Sequence, residues 1–280
     1  MKVSITLLVE NTARGQGIIG EHGLAWWITA GDQSLLFDTG QGMALRHNAK
    51  VLGIDLSKAD AIVLSHGHYD HVGALDAVVA NDCKSCPIWV HPAAFEKKYS
   101  ANIPGKVRCI SVPLLHDAGE RRLGERFRNA KDGGEPIPGV FVSGEVNHRF
   151  LFEDTGGAFY LDPEATVPDP IADDMSIYFD TPEGLVIILG CAHAGVLNTI
   201  AHIRHKTGGR PVRVVMGGMH LELANSERME RTLKGFRDEG MQELYPCHCT
   251  GYQARIDMAV ALPEVVRMCA AGSRWVYEAV

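Results

Sequence analysis

Between positions 65 and 71 the chain reads Ser65-His66-Gly67-His68-Tyr69-Asp70-His71. On extended backbone, residues two apart face the same side, so His66, His68 and Asp70 can converge. A turn into a following helix would bring His71 round to join them. Imidazole nitrogens and carboxylate oxygens are common donors to divalent transition metals. Four such donors in so short a segment exceed what one tetrahedral ion takes, which points to two ions sharing the loop. Gly67 would let the backbone approach a metal closely. The bland alternative is a histidine-rich surface loop, but such a loop has no reason to follow a buried strand or to carry an aspartate in register.

Three further histidines follow apolar runs. His193 lies in Gly190-Cys191-Ala192-His193-Ala194-Gly195, His220 in Gly217-Gly218-Met219-His220, and His248 in Pro246-Cys247-His248-Cys249-Thr250-Gly251. Ligands of open α/β sheets gather at the carboxyl ends of strands. A single histidine there could be a core residue bonded to a carbonyl; three, each beside glycine or cysteine, are candidates for a site. Asp38, before Thr39-Gly40, can accept the free ring N–H of a ligating histidine and fix its tautomer, or simply form a turn. Tyr69 reads as packing. In 247–249, strand alternation turns both sulfurs away from His248, leaving the histidine as the donor.

Other chemistry-bearing residues have plainer readings. Cys83-x-x-Cys86 has the spacing of a redox pair or half a zinc site, but no second pair accompanies it, and free thiols in a surface loop are expected. His116, His148, His202 and His205 read as solvated or helix-face residues. Glu145 and Arg149 could close over a substrate or lie in a solvated loop.

The elements that must position these residues follow from pattern. Strands are expected at 3–9, 24–29 and 34–37, with hairpin chemistry at Ala30-Gly31-Asp32-Gln33. A helix over 43–52 stops at Gly53. The apolar run 61–64 reads as a strand buried on both faces, immediately before the histidine run. Helices are expected at 72–79 and 92–99, around a strand at 87–90. A hairpin at 175–189 turns on Thr181-Pro182-Glu183. Helix 196–205, strand 212–216, helix 225–237 with Asn225 as N-cap, strand 243–245 and helix 252–260 complete the order. The stretch 116–170 is rich in Gly, Pro and charge, and reads as a loop-rich insertion able to cover a site. This alternation predicts an α/β layered fold, with 1–280 as a single domain.

Composition bounds the function. The 280 residues carry a formal charge of -7, 46% hydrophobic and 22% charged residues, thirteen histidines and seven cysteines. An acidic balance argues against nucleic acid as partner, and no apolar run is long enough to span a membrane. The first residues turn polar too quickly for a secretory signal. An odd number of dispersed cysteines agrees with a reducing cytoplasm. A small molecule is the expected partner, and a homodimer the one protein association considered.

The chain resembles the metallo-β-lactamase superfamily, through Asp38-Thr39-Gly40 and 65–71. Within it, the similarity is to 7,8-dihydropterin-6-methyl-4-(β-D-ribofuranosyl)aminobenzene-5'-phosphate synthase-like proteins. That likeness is carried by Val9-Glu10-Asn11, Glu21-His22-Gly23-Leu24, Phe37 to Gln41, His47-Asn48, 64–73, Ser143-Gly144-Glu145, Asp173-Asp174, 190–195, 217–221 and 248–251. The resemblance implies a four-layer αββα sandwich and two divalent transition-metal ions, zinc first, with manganese or iron as alternatives. One ion would take His66, His68 and His193; the other Asp70, His71 and His248. Asp70 and His220 would act in catalysis. Asp38, Asn11, His22, Glu145, Cys191 and His220 would lie behind the ligands or in the pocket. The superfamily's usual lone histidine and bridging aspartate are not recognisable; Asp174 and Cys191 or His193 stand near those places.

Three functions follow as expectations. The first is a dinuclear hydrolase of a small, possibly phosphorylated, substrate, working through metal-activated hydroxide. The second is a transferase that condenses hydroxymethyl-dihydropterin pyrophosphate with 4-(β-D-ribofuranosyl)aminobenzene 5'-phosphate. The third is a non-catalytic metal- or ligand-binding protein.

Overall fold

The computed structural model describes residues 1–116 and 119–280. Its strands are β1 (Lys2–Val9), β2 (Ala25–Ala30), β3 (Gln33–Phe37), β4 (Ala61–Val63), β5 (Ile88–Val90), β6 (Tyr99–Ile103), β7 (Lys106–Cys109) and β8 (Phe127–Asn129). The second half adds β9 (Gly134–Ile137), β10 (Val140–Val142), β11 (Phe159–Tyr160), β12 (Ser176–Thr181), β13 (Gly184–Leu189), β14 (Val212–Gly218), β15 (Glu243–Cys247) and β16 (Arg274–Glu278). One sheet runs β16-β1-β2-β3-β4-β5-β8, a second β15-β14-β13-β12-β10-β9, and a small third β11-β6-β7.

Strand alternation builds the layers. In β3, Leu35 and Phe37 enter the core between the two large sheets, where they join Trp26, Phe179, Ile188 and Met216. Leu36, between them, points outward to a cluster with Leu45 and Ala49 of helix Leu45–Val51 and with Leu75 and Val78 of helix Leu75–Asn81. β4 repeats the pattern, with Ala61 and Val63 inside and Ile62 outside. On the second sheet, Ile187 and Val215 face Ile200 of helix Val196–Lys206, Phe236 of helix Ser226–Glu239 and Met258 of helix Tyr252–Ala261. The order is helices, sheet, sheet, helices: the expected αββα sandwich. Asn225 caps its helix as predicted, its side chain accepting from Arg228 N–H at 2.8 Å.

β3, β4 and β5 run parallel, as do β13, β14 and β15. Their carboxyl ends therefore lie along common sheet edges, and the loops holding Asp38, the histidine run, Cys191, His193, His220 and His248 leave from those ends.

Some elements differ from the sequence reading. The helix expected at 92–99 is only a short turn, Pro92–Phe95, after which Tyr99–Ile103 becomes a strand hairpinned with Lys106–Cys109. The helix expected at 72–79 is two short helices, Tyr69–Val72 and Leu75–Asn81. The stretch 116–170 is less loop-like than its composition implies: β8 joins the first sheet and β9 and β10 the second. Asp117 and Ala118, within that stretch, lie outside the described residues.

Candidate metal centre

The histidine run leaves β4 buried except at Tyr69, which is half-buried. Asp173 Oδ2 accepts from Gly67 N–H at 2.7 Å. A Cβ on Gly67 would lie 2.8 Å from the carbonyl oxygen of Ala94, so the glycine is needed for close backbone packing rather than for approach to a metal. Gly190 serves the next loop similarly, since a Cβ there would collide with Ser65 Oγ.

Hydrogen bonds settle the tautomers. Ser65 Oγ donates to Asp38 Oδ2 at 2.7 Å, so its oxygen is free to accept from His66 Nδ1 at 2.8 Å. His193 Nδ1 donates to the carbonyl of Thr155 at 2.8 Å. Each ring thereby turns a lone pair outward from Nε2. The Nε2 atoms of His66, His68 and His193 are buried and have no partner among the described residues, and the three side chains bring ligand atoms within 4.8 Å of one another. Their pKa values are all held well below the ordinary histidine value. Burial is the main cause in each; neighbouring rings add to it for His66 and His193, and Lys98 for His68. Three neutral imidazoles with converging, unpartnered nitrogens are costly to bury without a cation between them.

A second group adjoins the first. His71 Nδ1 donates to Asp38 Oδ2 at 2.7 Å, and His248 Nδ1 to Asn11 Oδ1 at 2.9 Å. With both Nδ1 hydrogens committed, the two Nε2 lone pairs face each other at 3.2 Å. A cation between them would relieve that contact. Burial works against charge on His71, but the Asp38 carboxylate outweighs it and holds the ring above the usual histidine value. Cys191 Sγ is 3.0 Å from His71 Nε2, and burial pushes its thiol well above the ordinary value. Asp70 Oδ2 lies 3.2 Å from His22 Nε2 and 3.4 Å from His248 Nε2. Burial opposes the Asp70 charge, yet the His22 and His248 rings beside it hold its carboxyl well below the carboxylate range.

Asn11 and Glu10 explain why the end of β1 matters. Glu10, fully buried, accepts from His248 N–H at 2.8 Å while Asn11 orients the ring. Asn11→Ala is expected to weaken binding of one metal ion by about 10–100-fold, the usual cost of losing such a partner. Competition against a chromogenic chelator measures this; an unchanged affinity would deny Asn11 the role.

Backbone conformation marks the same place. Of the six non-glycine residues with positive φ among those described, four are Asp38, Ala192, His220 and His248. Such conformations cost energy and cluster where side chains must be aimed.

A cavity of about 370 Å³ opens over the group, lined by Asn11, His22, His68, Asp70, Cys191, His193, His220 and His248 among others. His220 stacks beside His193 with ring centroids 4.2 Å apart, and its Nδ1 is buried without a partner among the described residues. Phe159 forms an apolar wall against the rings of His68, His193 and His220.

Two sequence candidates lie elsewhere. Glu145 is not among the residues lining the cavity: a turn at Gly144 carries its backbone onto Lys131, and its carboxylate sits 3.4 Å from Lys131 Nζ and 3.6 Å from His91 Nε2. Arg149 is anchored away from the cavity, its N–H held by Asn198. Cys191, expected behind the ligands, is central; it belongs to three of the five donor groups that could hold an ion. Cys249 joins it in one of these, although alternation had turned its sulfur away. Cys83 and Cys86 are free thiols as expected, but buried rather than in a surface loop. Lys98, Arg108 and Glu222 were not singled out by sequence, and Asp173 only through the resemblance.

The comparisons with known proteins agree with this geometry. The 7,8-dihydropterin-6-methyl-4-(beta-D-ribofuranosyl)-aminobenzene-5'-phosphate synthase of Methanocaldococcus jannaschii is 30% identical over 244 residues, covering 84% of this chain and 82% of its own. The uncharacterized protein MJ0448 of the same organism is 31% identical over 252 residues, 89% of this chain and 91% of its own. Tm1679, a metal-dependent hydrolase of the beta-lactamase superfamily, superposes with a TM-score of 0.81 at 27% identity over 98% of both chains. The family model for the metallo-beta-lactamase superfamily matches residues 18–266. Both the sandwich and the divalent-metal chemistry of its clustered histidines, cysteine and aspartate thus have one source: the chain belongs to the metallo-beta-lactamase superfamily.

Proposed function

We propose that this chain is a metal-dependent hydrolase acting on a small phosphorylated substrate. The observation that carries the reading is the convergence of three buried, unpartnered Nε2 atoms, those of His66, His68 and His193, of which His68 and His193 line the cavity. These three would hold one ion. Asp70, His71 and His248, with Cys191 beside them, would hold a second. Zinc suits the nitrogen and sulfur donors best. Bound divalent ions supply Lewis-acid polarisation of a substrate oxygen and make water acidic enough to ionise near neutral pH.

The protein's own groups do the rest. Asp38, Ser65, Thr155 and Asn11 fix the ring tautomers, so that donor atoms are aimed before substrate arrives. Phe159 keeps bulk water from one side of the histidines. His220, at the cavity wall, is placed to hydrogen-bond a substrate oxygen, and Asp70 to accept a proton or a metal. Among the described residues no helix is long and apolar enough to cross a membrane, and a small molecule fits the cavity's size.

A second reading is a pterin-type transferase. It is favoured by the 30% identity with the methanogen synthase over most of both chains. Tyr69 and Phe159 offer that reading aromatic surface in the cavity. The two are separated by assaying phosphodiester and lactone hydrolysis beside condensation of a pterin pyrophosphate with an arylamine.

Metal analysis tests what both share. About two transition-metal ions per chain are expected after zinc reconstitution, with chelation abolishing turnover. Zinc at a hundred times its Kd should stabilise the fold by about 2.7 kcal/mol over metal-free protein. Fewer than about one tightly held ion per chain would sink the reading. Full metal occupancy with no turnover in any of these assays would favour a binding protein instead.

A further inference from the structure

His193 owes its direction to the carbonyl of Thr155, which accepts from its Nδ1 at 2.8 Å. Donor and acceptor come from different parts of the chain. His193 leaves the end of β13, while Thr155 lies in the segment 150–158, outside any strand or helix. A carbonyl on irregular backbone holds a ring only as firmly as that backbone is itself tied down.

Glu153 ties it. The side chain is buried. Its Oε1 accepts from Leu197 N–H at 3.0 Å and its Oε2 from Asn198 N–H at 2.7 Å. These are first-turn N–H groups of helix Val196–Lys206, which have no partner inside the helix. A carboxylate there also meets the positive end of the helix dipole. Gly195, just before the helix, has no side chain to cap it, and a Cβ there would collide with the Glu153 carboxylate. The helix that begins three residues after His193 is thus capped by a residue more than forty positions upstream.

The neighbouring contacts show where the load falls. Asn198, fully buried, accepts at Oδ1 from the N–H groups of Arg149 and Phe150 at 2.7 and 2.6 Å, which fastens the start of the segment to the same helical turn. Beyond Glu153, Asp154 pairs with Arg228 of helix Ser226–Glu239 and accepts from Gly156 N–H at 2.8 Å, but its side chain is exposed. Gly156 lies against His220, where a Cβ would collide with the ring. Glu153 is therefore the buried link between the acceptor Thr155, two residues on, and the helix that carries on from the donor His193.

We propose that Glu153 is a positioning residue of the metal centre: by holding segment 150–158 against the first turn of helix Val196–Lys206, it fixes the Thr155 carbonyl and with it the tautomer and direction of His193. It acts through that one histidine. His71 and His248 take their orientation from Asp38 and Asn11 instead. The effect on ion affinity rests on the proposed metal reading, but the state of the His193 ring can be read without any ion.

The test uses the full chain with and without zinc. In metal-free wild type, long-range proton–nitrogen correlation spectra should show His193 as a single Nδ1–H tautomer. Glu153→Ala should turn it into a mixture of two. In zinc titrations against a chromogenic chelator, Glu153→Ala should weaken one of the two expected ions by roughly 10–100-fold and leave the other unchanged. Glu153→Gln, which keeps one acceptor oxygen, should lose less, and carries the same comparisons where the alanine variant does not fold. Ile200→Val trims the core side of the same helix without removing a hydrogen bond to the segment, so it controls for lost stability and should leave both affinities alone. In a His193→Ala background, Glu153→Ala should cost no further zinc affinity, because the two residues act as one unit. An unaltered single tautomer in both Glu153 variants would overturn the proposal. So would weakening of both ions, an equal loss in Ile200→Val, or an additive loss on top of His193→Ala. If wild-type protein binds fewer than about one ion per chain, the proposed function fails, and the metal-free spectra still decide whether Glu153 sets the ring.

Discussion

In zinc-reconstituted protein, His68→Ala is expected to lower turnover by more than about 100-fold and to release about one ion per chain. The size follows from what the ring does. Loss of a residue that merely orients a ligand costs about 10–100-fold in affinity or activity; loss of the ligand itself must exceed that. His68 Nε2 is buried and bonded to nothing among the described residues, so no structural hydrogen bond disappears with it. Its ring otherwise packs against those of His66, His193 and Phe159, with centroids 4.4, 4.9 and 5.1 Å away. Metal-free protein should therefore lose only packing energy on substitution, while metal-loaded protein loses the stabilisation that zinc confers. Comparing melting temperatures with and without zinc, beside metal stoichiometry, separates a ligand from a packing residue. Unchanged stoichiometry and turnover would remove His68 from the site.

That histidine was legible in sequence because its signal is local. An alternation of donors directly after a short apolar strand has few other uses, and the parallel strands guarantee that such loops share an edge with those at 190–195 and 248–251. The wholly apolar run of β4 likewise marked a strand buried on both faces, and residues of it enter both clusters. What escaped depends on distant partners. Residues 96–99 looked helical because Pro92-Ala93-Ala94 opens like a helix, but the strand that begins at Tyr99 is fixed by pairing with β7 around Pro104-Gly105. β8, β9 and β10 are only three or four residues long, too short to show a period, and gain their order from the sheets they join. β16 was missed because its partner is β1, at the other end of the chain. Arg108 sits in an exposed hairpin of ordinary polar composition, and only the cavity beside it makes it notable.

Lys98 is the extreme of this kind, and it carries the second large prediction. Its side chain is 1% exposed, yet nothing around it in sequence marks a buried lysine. Nζ donates to Asp173 Oδ1 at 2.8 Å and to Asp169 Oδ2 at 3.0 Å, both more than seventy residues away. Burial alone would lower its pKa, but the two carboxylates outweigh that and raise it. Asp173 uses its other oxygen to hold Gly67 N–H, between His66 and His68. The triad thus braces the histidine loop from behind. Lys98→Met keeps the length and removes the charge, leaving two carboxylates buried without their cation. The expected loss is ~3–5 kcal/mol, the cost of breaking a buried pair by removing one partner, and a melting temperature lower by on the order of 10 °C. The triple variant Lys98→Met, Asp169→Asn, Asp173→Asn should recover most of that loss, because a buried ion group and its neutral replacement differ little in net stability. Asparagine at 173 can still accept from Gly67, so the triple variant should also regain metal affinity that Lys98→Met loses. Denaturant unfolding of the variants, read as a cycle, measures the coupling. If Lys98→Met costs under about 1 kcal/mol, or if the triple variant is no better than the single one, the charges are not what makes the triad necessary, and the lysine's role reduces to the packing of its stem.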